Sequence, residues 1–488
     1  MSVIQIEHLT FGYPSGDGNV FEDVSLQLDT DWKLGLVGRN GRGKTTLLRL
    51  LMGELEYRGR IQSPARFCYF PAPVPDPSRP VEAVLSGLCP ASEDWEMERE
   101  LSLLGLEAEA LERPFAALSQ GERTKVLLAA LFLEPGRVPL IDEPTNHLDA
   151  RGRAQVAAYL RRKPGFLLVS HDRRFLDGCV DHILALNRTG AEVQSGTCSS
   201  WLANFEGRQA FEAAQAEKLQ KEMARLRGAA RQAAARSDRT EAAKYGNGPV
   251  DRGFVGHKSA KLMRRAKQIE HRRLRAAEEK EGLLQDREGA PALKLSPLDY
   301  PREALLSCRE VQVWYGDRAA CPPVSLTLKR GERLALDGGN GSGKSSLLNL
   351  LGGAGLKYTG VLSLGSGLVV SHVPQDTAGL RGLPGDFARE SGVDLSQFFT
   401  ILRKLDFARG LFERDMADYS AGQKKKVLLA RSLCQRAHLY LWDEPLNYID
   451  LYSRLQIQRL LLEWKPTMVF VEHDAAFRES VATRTLRL

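Results

Sequence analysis

Two runs of eight residues, Gly38-Arg39-Asn40-Gly41-Arg42-Gly43-Lys44-Thr45 and Gly338-Gly339-Asn340-Gly341-Ser342-Gly343-Lys344-Ser345, share the spacing G-x-x-x-x-G-K-[ST]. The first follows a short apolar run, Leu34-Gly35-Leu36-Val37, and precedes the helix-like Thr46-Leu47-Leu48-Arg49-Leu50-Leu51. Glycines at these positions let backbone N–H groups wrap phosphates, the lysine neutralises β/γ oxygens, and the final hydroxyl ligates Mg²⁺. Further on, the apolar strand Val138-Pro139-Leu140-Ile141 ends in Asp142-Glu143. Such a pair alone is a strand end meeting solvent. Beyond a phosphate loop it becomes a Mg²⁺-ordering Asp142 and a general base, Glu143, for an attacking water. His171, after Phe166-Leu167-Leu168-Val169, completes the first set.

The set recurs, and the repeat says more than either copy. Ser119-Gln120-Gly121 and Ser420-Ala421-Gly422 each open a helical run, and Asp443-Glu444 and His473 repeat the acidic pair and the histidine. Lysine to serine is 75 residues in the first copy and 76 in the second, serine to glutamate 24 in both, and glutamate to histidine 28 and 29. Agreement at that level marks an internal duplication. The apolar runs ahead of each motif have the length of buried parallel strands, so each copy must be an α/β unit that presents its motifs at strand ends.

Between the copies lies a stretch of different character. From Glu217 to Lys280 there are 18 Lys or Arg against 8 Asp or Glu, a net of +10 in a chain whose total is +7. Phe205, Leu219, Met223, Leu226 and Ala230, then Leu262, Ala266, Ile269, Ala276 and Leu283, recur at helical spacing as narrow stripes. Tyr245-Gly246-Asn247-Gly248-Pro249, Gly253 and Gly256 break any helix between them. The pattern predicts a helical hairpin whose arms of roughly 30 residues reach about 45 Å. A one-signed surplus on a projecting element, with Arg264, Arg265, Lys267, Arg272, Arg273 and Arg275 on one arm, suits a polyanion such as structured RNA.

At 488 residues, 43% hydrophobic and 26% charged, the chain has the composition of a soluble protein of two or three domains. No apolar run approaches the ~18 residues a bilayer span needs, and the start is no signal peptide, so a cytoplasmic location is expected. Seven scattered cysteines without a C-x-x-C pair predict reduced thiols and no metal cluster.

These residues resemble an ABC-type ATPase cassette, twice. The resemblance implies a Walker A at Lys44 and Thr45, a signature loop at Ser119 and Gly121, a Walker B at Asp142 and Glu143, a D-loop from Asn146 to Asp149, a switch histidine at His171 and an adenine-stacking Tyr13. Its second set is Lys344 and Ser345, Ser420 and Gly422, Asp443 and Glu444, His473 and Tyr315. It implies an α/β fold of two tandem ABC-type cassettes (P-loop NTPase), residues 1–200 and 301–488, joined by a basic helical-hairpin linker, 201–300. Its cofactors would be ATP and Mg²⁺. Gly38, Asn40, Gly41, Gly43, Thr46, Gly338, Asn340, Gly341, Gly343 and Ser346 would complete the nucleotide contacts, and Thr45, Asp142, Ser345, Gln375 and Asp443 the metal side. The cassettes would close head to tail within one monomer, Lys44 against Ser420 and Lys344 against Ser119.

Two cassettes around a helical hairpin, with no membrane span, are similar to the ABC-F family. The sequences around Lys44, Glu143 and Glu444 look most like its Lsa-type antibiotic resistance members. That resemblance implies a bacterial ribosome as partner, with the hairpin meeting large-subunit rRNA and exit-site or peptidyl-site tRNA. It also implies release of lincosamide, streptogramin A or pleuromutilin drugs, and no part for DNA or a membrane. A housekeeping ABC-F translation factor and the ATPase subunit of a transporter are the competing expectations. The chain departs from the pattern in two places: the hairpin turn is shorter than in Lsa-type members, which bears on drug range, and Tyr69-Phe70-Pro71 leads to Ala72 where the family pattern has Gln, whereas Gln375 is kept in the second copy. A slow first site is expected, unless Pro71 and Pro73 reshape the loop so that a neighbouring side chain or the backbone takes over.

Overall fold

The computed structural model describes residues 2–14, 18–134, 136–146, 148–187, 190–211, scattered residues from 214 to 225, and 294–488. Residues 198–211 are helical; most of the rest of the expected hairpin, its Gly-rich tip and arginine-rich arm included, lies outside the described residues. One compact unit is formed by the chain up to Ser199 together with the chain after residue 289.

The first half of that unit holds an antiparallel sheet of β1 (Val3–Phe11), β2 (Phe21–Asp29) and β4 (Arg58–Gln62), in the order β2-β1-β4. Its second sheet contains β3 (Lys33–Gly38), β5 (Arg66–Phe70), β6 (Arg137–Asp142), β7 (Phe166–Val169), β8 (His182–Leu186) and β9 (Ala191–Ser195). They lie in the order β5-β6-β7-β3-β8-β9, parallel except at the β8–β9 edge. The second half repeats the plan. β10 (Ala304–Tyr315), β11 (Arg318–Ala319), β12 (Val324–Lys329) and β14 (Lys357–Leu364) are antiparallel. β13 (Arg333–Asp337), β15 (Val370–Val373), β16 (Leu439–Asp443), β17 (Met468–Val471) and β18 (Arg484–Arg487) form a parallel sheet in the order β15-β16-β17-β13-β18.

The inner strands read as unbroken apolar runs because both of their faces are covered. All four residues of β7 and all five of β16 are buried. Parallel order then delivers chemistry to one edge. β3, β6 and β7 point the same way, so the phosphate loop, Asp142-Glu143 and His171 emerge side by side at their carboxyl ends, where open α/β sheets bind ligands. Helix starts are fixed by side-chain caps: Ser119 and Ser420 form capping boxes with Glu122 and Gln423, and Asp149, Asp172, Asp450 and Asp474 cap four more helices. Residues 294–300 pack into the second half: Leu295 and Tyr300 are buried there, and the Leu298 N–H donates to the Ala437 carbonyl at 2.8 Å. The seven cysteines are unpaired.

The halves meet through the phosphate loop of the first. Arg39 Nη1 lies 3.2 and 3.1 Å from the two carboxylate oxygens of Asp406, with its guanidinium 5.7 Å from the centre of the Tyr452 ring. Asn40 Nδ2 donates to the Tyr448 carbonyl at 2.9 Å. The duplication shows how particular this contact is. Arg39 corresponds to Gly339, and Asp406, in Leu405-Asp406-Phe407, corresponds to Gly105 in Leu104-Gly105-Leu106. Both positions have the left-handed backbone, φ 54° at Asp406 and 70° at Gly105. An L-residue there costs about 1 kcal/mol that glycine avoids. One interface thus carries an ion pair where the other carries two glycines. Arg39→Ala or Asp406→Ala should each cost about 1.5–3 kcal/mol, the range for hydrogen bonds to charged groups. The double variant Arg39→Gly with Asp406→Gly should cost less than the two single glycine variants added together. A double-mutant cycle read by thermal unfolding measures that coupling, and strict additivity would show that the pair does not act as one.

Candidate active site

Each phosphate loop is a glycine cradle closed around its own lysine. Lys44 Nζ donates to the carbonyls of Gly38 and Arg39 at 2.8 and 3.1 Å, and Lys344 Nζ to those of Gly338 and Gly339 at 2.9 and 2.7 Å. Gly43 and Gly343 have φ of 84° and 90°, and a Cβ on Gly43 would lie 2.5 Å from Val20 while one on Gly343 would lie 2.3 Å from the Ala320 carbonyl. Only glycine fits there. Both ammonium groups are buried, and burial lowers their proton affinity, opposed around Lys44 by Asp450, Glu143 and Asp142. A buried cation with vacant donor directions suits an anion of several oxygens.

Around Lys344 a cavity of about 590 Å³ is lined by Tyr315, Asn340, Ser345, Gln375, Glu444 and His473 and also by Gln120, Asn146 and Leu148 of the other half. Gly341, Gly343 and Ser346 border it too. Gln120 follows Ser119, so the signature loop and D-loop of one half reach the phosphate loop of the other, as head-to-tail closure requires. On the first loop, Thr46 Oγ1 lies 3.1 Å from the Tyr13 hydroxyl. Gly422 is held tight, since a Cβ there would meet Tyr448 Cβ at 2.9 Å.

The two acidic ends share a frame and differ in completion. Glu143 and Glu444 both have positive φ, 50° and 47°, a strained conformation for glutamate, and their N–H groups donate to Val169 and Val471. In the second half Ser345 Oγ donates to Gln375 Oε1 at 3.2 Å, His473 Nε2 lies in hydrogen-bond geometry 3.0 Å from Glu444 Oε1, and Asn447 donates to Glu444 Oε2 at 2.7 Å. Asp443 Oδ1 is buried without a hydrogen-bond partner. Burial pushes the Glu444 carboxyl up, but the hydrogen bond and field of His473, the Lys425 charge and a Gln375 hydrogen bond outweigh it, leaving the carboxyl below its ordinary value. In the first half Thr45 Oγ1 donates to Asp142 Oδ2 at 2.8 Å, and His171 Nε2 lies 3.2 Å from Glu143 Oε1, an oxygen that accepts no hydrogen bond. Burial, then the Asp142 charge, pushes the Glu143 carboxyl up to about 8, and burial with nearby cations drives His171 well below its usual range.

Three features escaped the sequence reading. The Arg39–Asp406 pair could have been found by aligning the two copies position by position. Lys425 is buried, and its ammonium donates to the carbonyls of Pro374 and Asp443 at 2.9 and 2.8 Å, tying the Gln375 loop to the acidic end; its counterpart is Thr124. Ion pairs Arg153–Asp172 and Arg454–Asp474, at 2.8 and 3.2 Å, brace the segment after each histidine.

A family model described as ABC transporter matches residues 21–146 and 321–447, more than half of the chain. The chain belongs to this family. Its cassettes bind ATP with Mg²⁺ and hydrolyse it, which agrees with a buried lysine, a glycine cradle and paired carboxylates at both sites. Among relatives, the ATP-binding protein Uup of Caulobacter vibrioides is 28% identical over 484 residues, covering 96% of this chain and 74% of that protein. The energy-dependent translational throttle protein EttA of Haemophilus influenzae is 26% identical over 528 residues, covering 96% and 89%. Two solved structures share the two-cassette fold. One is the archaeal ribosome recycling factor aABCE1 in complex with the stalk protein aP1 (TM-score 0.65, 21% identity, 98% of this chain and 87% of that one), the other the RNase-L inhibitor (0.64, 21%, 99% and 87%). Among the described residues no helix is long and apolar enough to cross a membrane.

Two outcomes follow for the bases. In nucleotide-free protein the folded state holds a proton on Glu143 that the unfolded chain releases near pH 4.5, so this group lowers stability as pH rises from about 4.5 towards 8. Glu143→Gln should therefore raise the thermal midpoint relative to the parent more at pH 8 than at pH 5, in EDTA. A gain independent of pH would place the carboxyl elsewhere on the scale. In single-turnover hydrolysis Glu444→Gln should remove most activity, about 10²-fold or more, and Glu143→Gln little; equal losses would show two equivalent sites.

Proposed function

We propose that this ATPase is an ABC-F protein that acts on the bacterial ribosome. ATP hydrolysis follows from the family and the site; the ribosome follows from what separates the cassettes. The observation that carries the reading is the net +10 between Glu217 and Lys280, on a segment flanked by two ATP-driven halves. A transporter subunit has no use for such a segment, while a polyanion binder gains counterion-release affinity from it. The names of similar proteins support the direction: one is a translational throttle, one a ribosome recycling factor, and a further two-cassette structure of TM-score 0.62 is titled a model of ribosome-bound archaeal Pelota and ABCE1.

In this reading residues 1–200 and 301–488 are the cassettes and 201–300 the RNA-contacting linker. Lys44 and Lys344 hold the terminal phosphates with the backbone of Gly38 to Thr46 and Gly338 to Ser346. Ser119, Gly121, Ser420 and Gly422 meet them from the opposite half, and Tyr13 and Tyr315 lie against the base. Thr45 and Asp142, and Ser345, Gln375 and Asp443, hold Mg²⁺, which spreads the charge of the transferring phosphoryl group. Glu143 and Glu444 take the proton of the attacking water, with His171 and His473 fixing their orientation. Closure places the linker on large-subunit rRNA and exit-site or peptidyl-site tRNA, inside the cytoplasm and from a single chain.

The finer reading is drug protection of the Lsa type, carried by the motif sequences around Lys44, Glu143 and Glu444. A second reading, a housekeeping factor that tunes elongation without any drug, is favoured by the throttle relative. Glu143→Gln with Glu444→Gln should bind ATP, lose hydrolysis and pellet with ribosomes. Replacing Arg264, Arg265, Arg272 and Arg273 by Ala should reduce that binding about tenfold or more at 0.15 M salt and flatten its salt dependence. A trapped protein that stays off ribosomes would overturn the assignment. Drug susceptibility with and without expression then separates protection, which raises the inhibitory concentration, from housekeeping, which does not.

A further inference from the structure

The strand ahead of each missing or present glutamine offers a comparison fixed by register. On β5 and β6, Tyr69 stands opposite Leu140 and Phe70 opposite Ile141; on β15 and β16, His372 stands opposite Leu441 and Val373 opposite Trp442. Tyr69 therefore corresponds to His372, and Ala72 to Gln375. In the second half Gln375 joins the two sides of the site, accepting from Ser345 and bonding to Glu444. His372 contributes nothing to Asp443, since its buried Nε2 has no hydrogen-bond partner and Asp443 Oδ1 has none either. In the first half the methyl group of Ala72 can make neither bond. Instead the Tyr69 hydroxyl donates to Asp142 Oδ2 at 3.0 Å, the oxygen that also accepts from Thr45 at 2.8 Å.

We propose that Tyr69 is a positioning residue of the first site, holding the Asp142 carboxylate beside Thr45 in place of the absent glutamine while leaving Glu143 without an equivalent hydrogen bond. The phenol is suited to this. It is half-buried, and its hydroxyl reaches Asp142 Oδ2 at 3.0 Å. Its reach ends at the aspartate: nothing from the strand directs Glu143, whose Oε1 accepts no hydrogen bond. The glutamine's two tasks are thus divided, with the metal side met by tyrosine and the base side unmet. The inference rests on Lys44, Thr45 and Asp142 forming a Mg²⁺–nucleotide site, which Lys44→Ala tests by itself.

The test uses the full chain with Lys344→Ala, which leaves the first site as the nucleotide binder, and Mn²⁺ as the probe. Mn²⁺ affinity is measured by electron paramagnetic resonance with the non-hydrolysable analogue adenylyl imidodiphosphate, and analogue affinity alone is measured in EDTA. Tyr69→Phe should weaken Mn²⁺ about tenfold, the lower end for loss of an outer-shell partner, with the EDTA affinity unchanged. Tyr69→His, copying the second half, should do the same, and adding Ala72→Gln to Tyr69→Phe should restore most of the loss. In a Lys44→Ala chain, Tyr69→Phe should leave the Mn²⁺ affinity of the second site as it was. Unchanged Mn²⁺ affinity in Tyr69→Phe would overturn the proposal. So would a fall in EDTA affinity and thermal midpoint in parallel with the metal, which would make Tyr69 a packing residue. Retention of first-site nucleotide binding by Lys44→Ala would instead bring down the site assignment beneath it.

Discussion

Two ammonium groups taken out of water set the terms for everything around them. Lys44 and Lys344 are 8% and 7% exposed, each folded back on two carbonyls of its own loop. A buried cation is tolerated only where anions surround it, and some of those anions are borrowed. Asp450, first among the groups that favour the charge on Lys44, belongs to the other half; for Lys344 the nearer support is its own Glu444, Asp443 and Asp337, with Asp149 of the other half adding a smaller share. Each loop's charge balance is therefore shared across the interface before any nucleotide arrives. A polyphosphate adds negative charge where the two halves meet, so binding and closure draw on the same electrostatics.

A common frame does not make common sites. The duplicated halves agree in strand order, capping residues, lysine anchors and even the strained φ of Glu143 and Glu444. They differ in what completes each frame. The first interface has Arg39 and Asp406 where the second has two glycines, and the Asp406 backbone strain persists because a glycine there would have no carboxylate to offer Arg39. The second acidic end is braced by Lys425 and joined by Gln375, while the first has Thr124 and Ala72 at those places. Sequence drift between copies has fallen on the groups that orient, and has spared the groups that hold.

The holding groups were legible in the sequence because their chemistry has a fixed local spacing. A lysine six residues after a glycine, or two carboxylates ending an apolar strand, can be read without knowing what lies across the sheet. The parallel order that gathers β3, β6 and β7 was implied by unbroken apolar runs. The orienting groups could not be read in this way. Tyr69 and Asp142 are 73 residues apart and Arg39 and Asp406 367 apart, so their meeting depends on sheet order and on the packing of one half against the other. Ala72 was visible as a gap, but what stands near the gap was not. The basic stretch was legible only as charge and periodicity, and most of it lies outside the described residues.

Glu143 and Glu444 differ in the direction of their ionisation. Glu444 is held below its ordinary ionisation by His473, Lys425 and Gln375, so it is a carboxylate at neutral pH and can accept a proton as soon as water is in place. Glu143, buried beside Asp142 with His171 3.2 Å away but with Thr124 and Ala72 in the places of Lys425 and Gln375, is pushed up to about 8 in the nucleotide-free state. Deprotonating it at pH 7 costs free energy before chemistry begins, about 1.4 kcal/mol for each unit of pKa above the ambient pH. In the nucleotide-free protein that cost falls on Glu143 and not on Glu444. Buried arginine Arg454, from the opposite half, is among the charges that draw the Glu143 value down. Lys44, of its own loop, is the larger such charge, and burial remains the largest cause of the rise. The ionisation of Glu143 thus depends on groups of both halves, Lys44 of its own loop and Arg454 of the other.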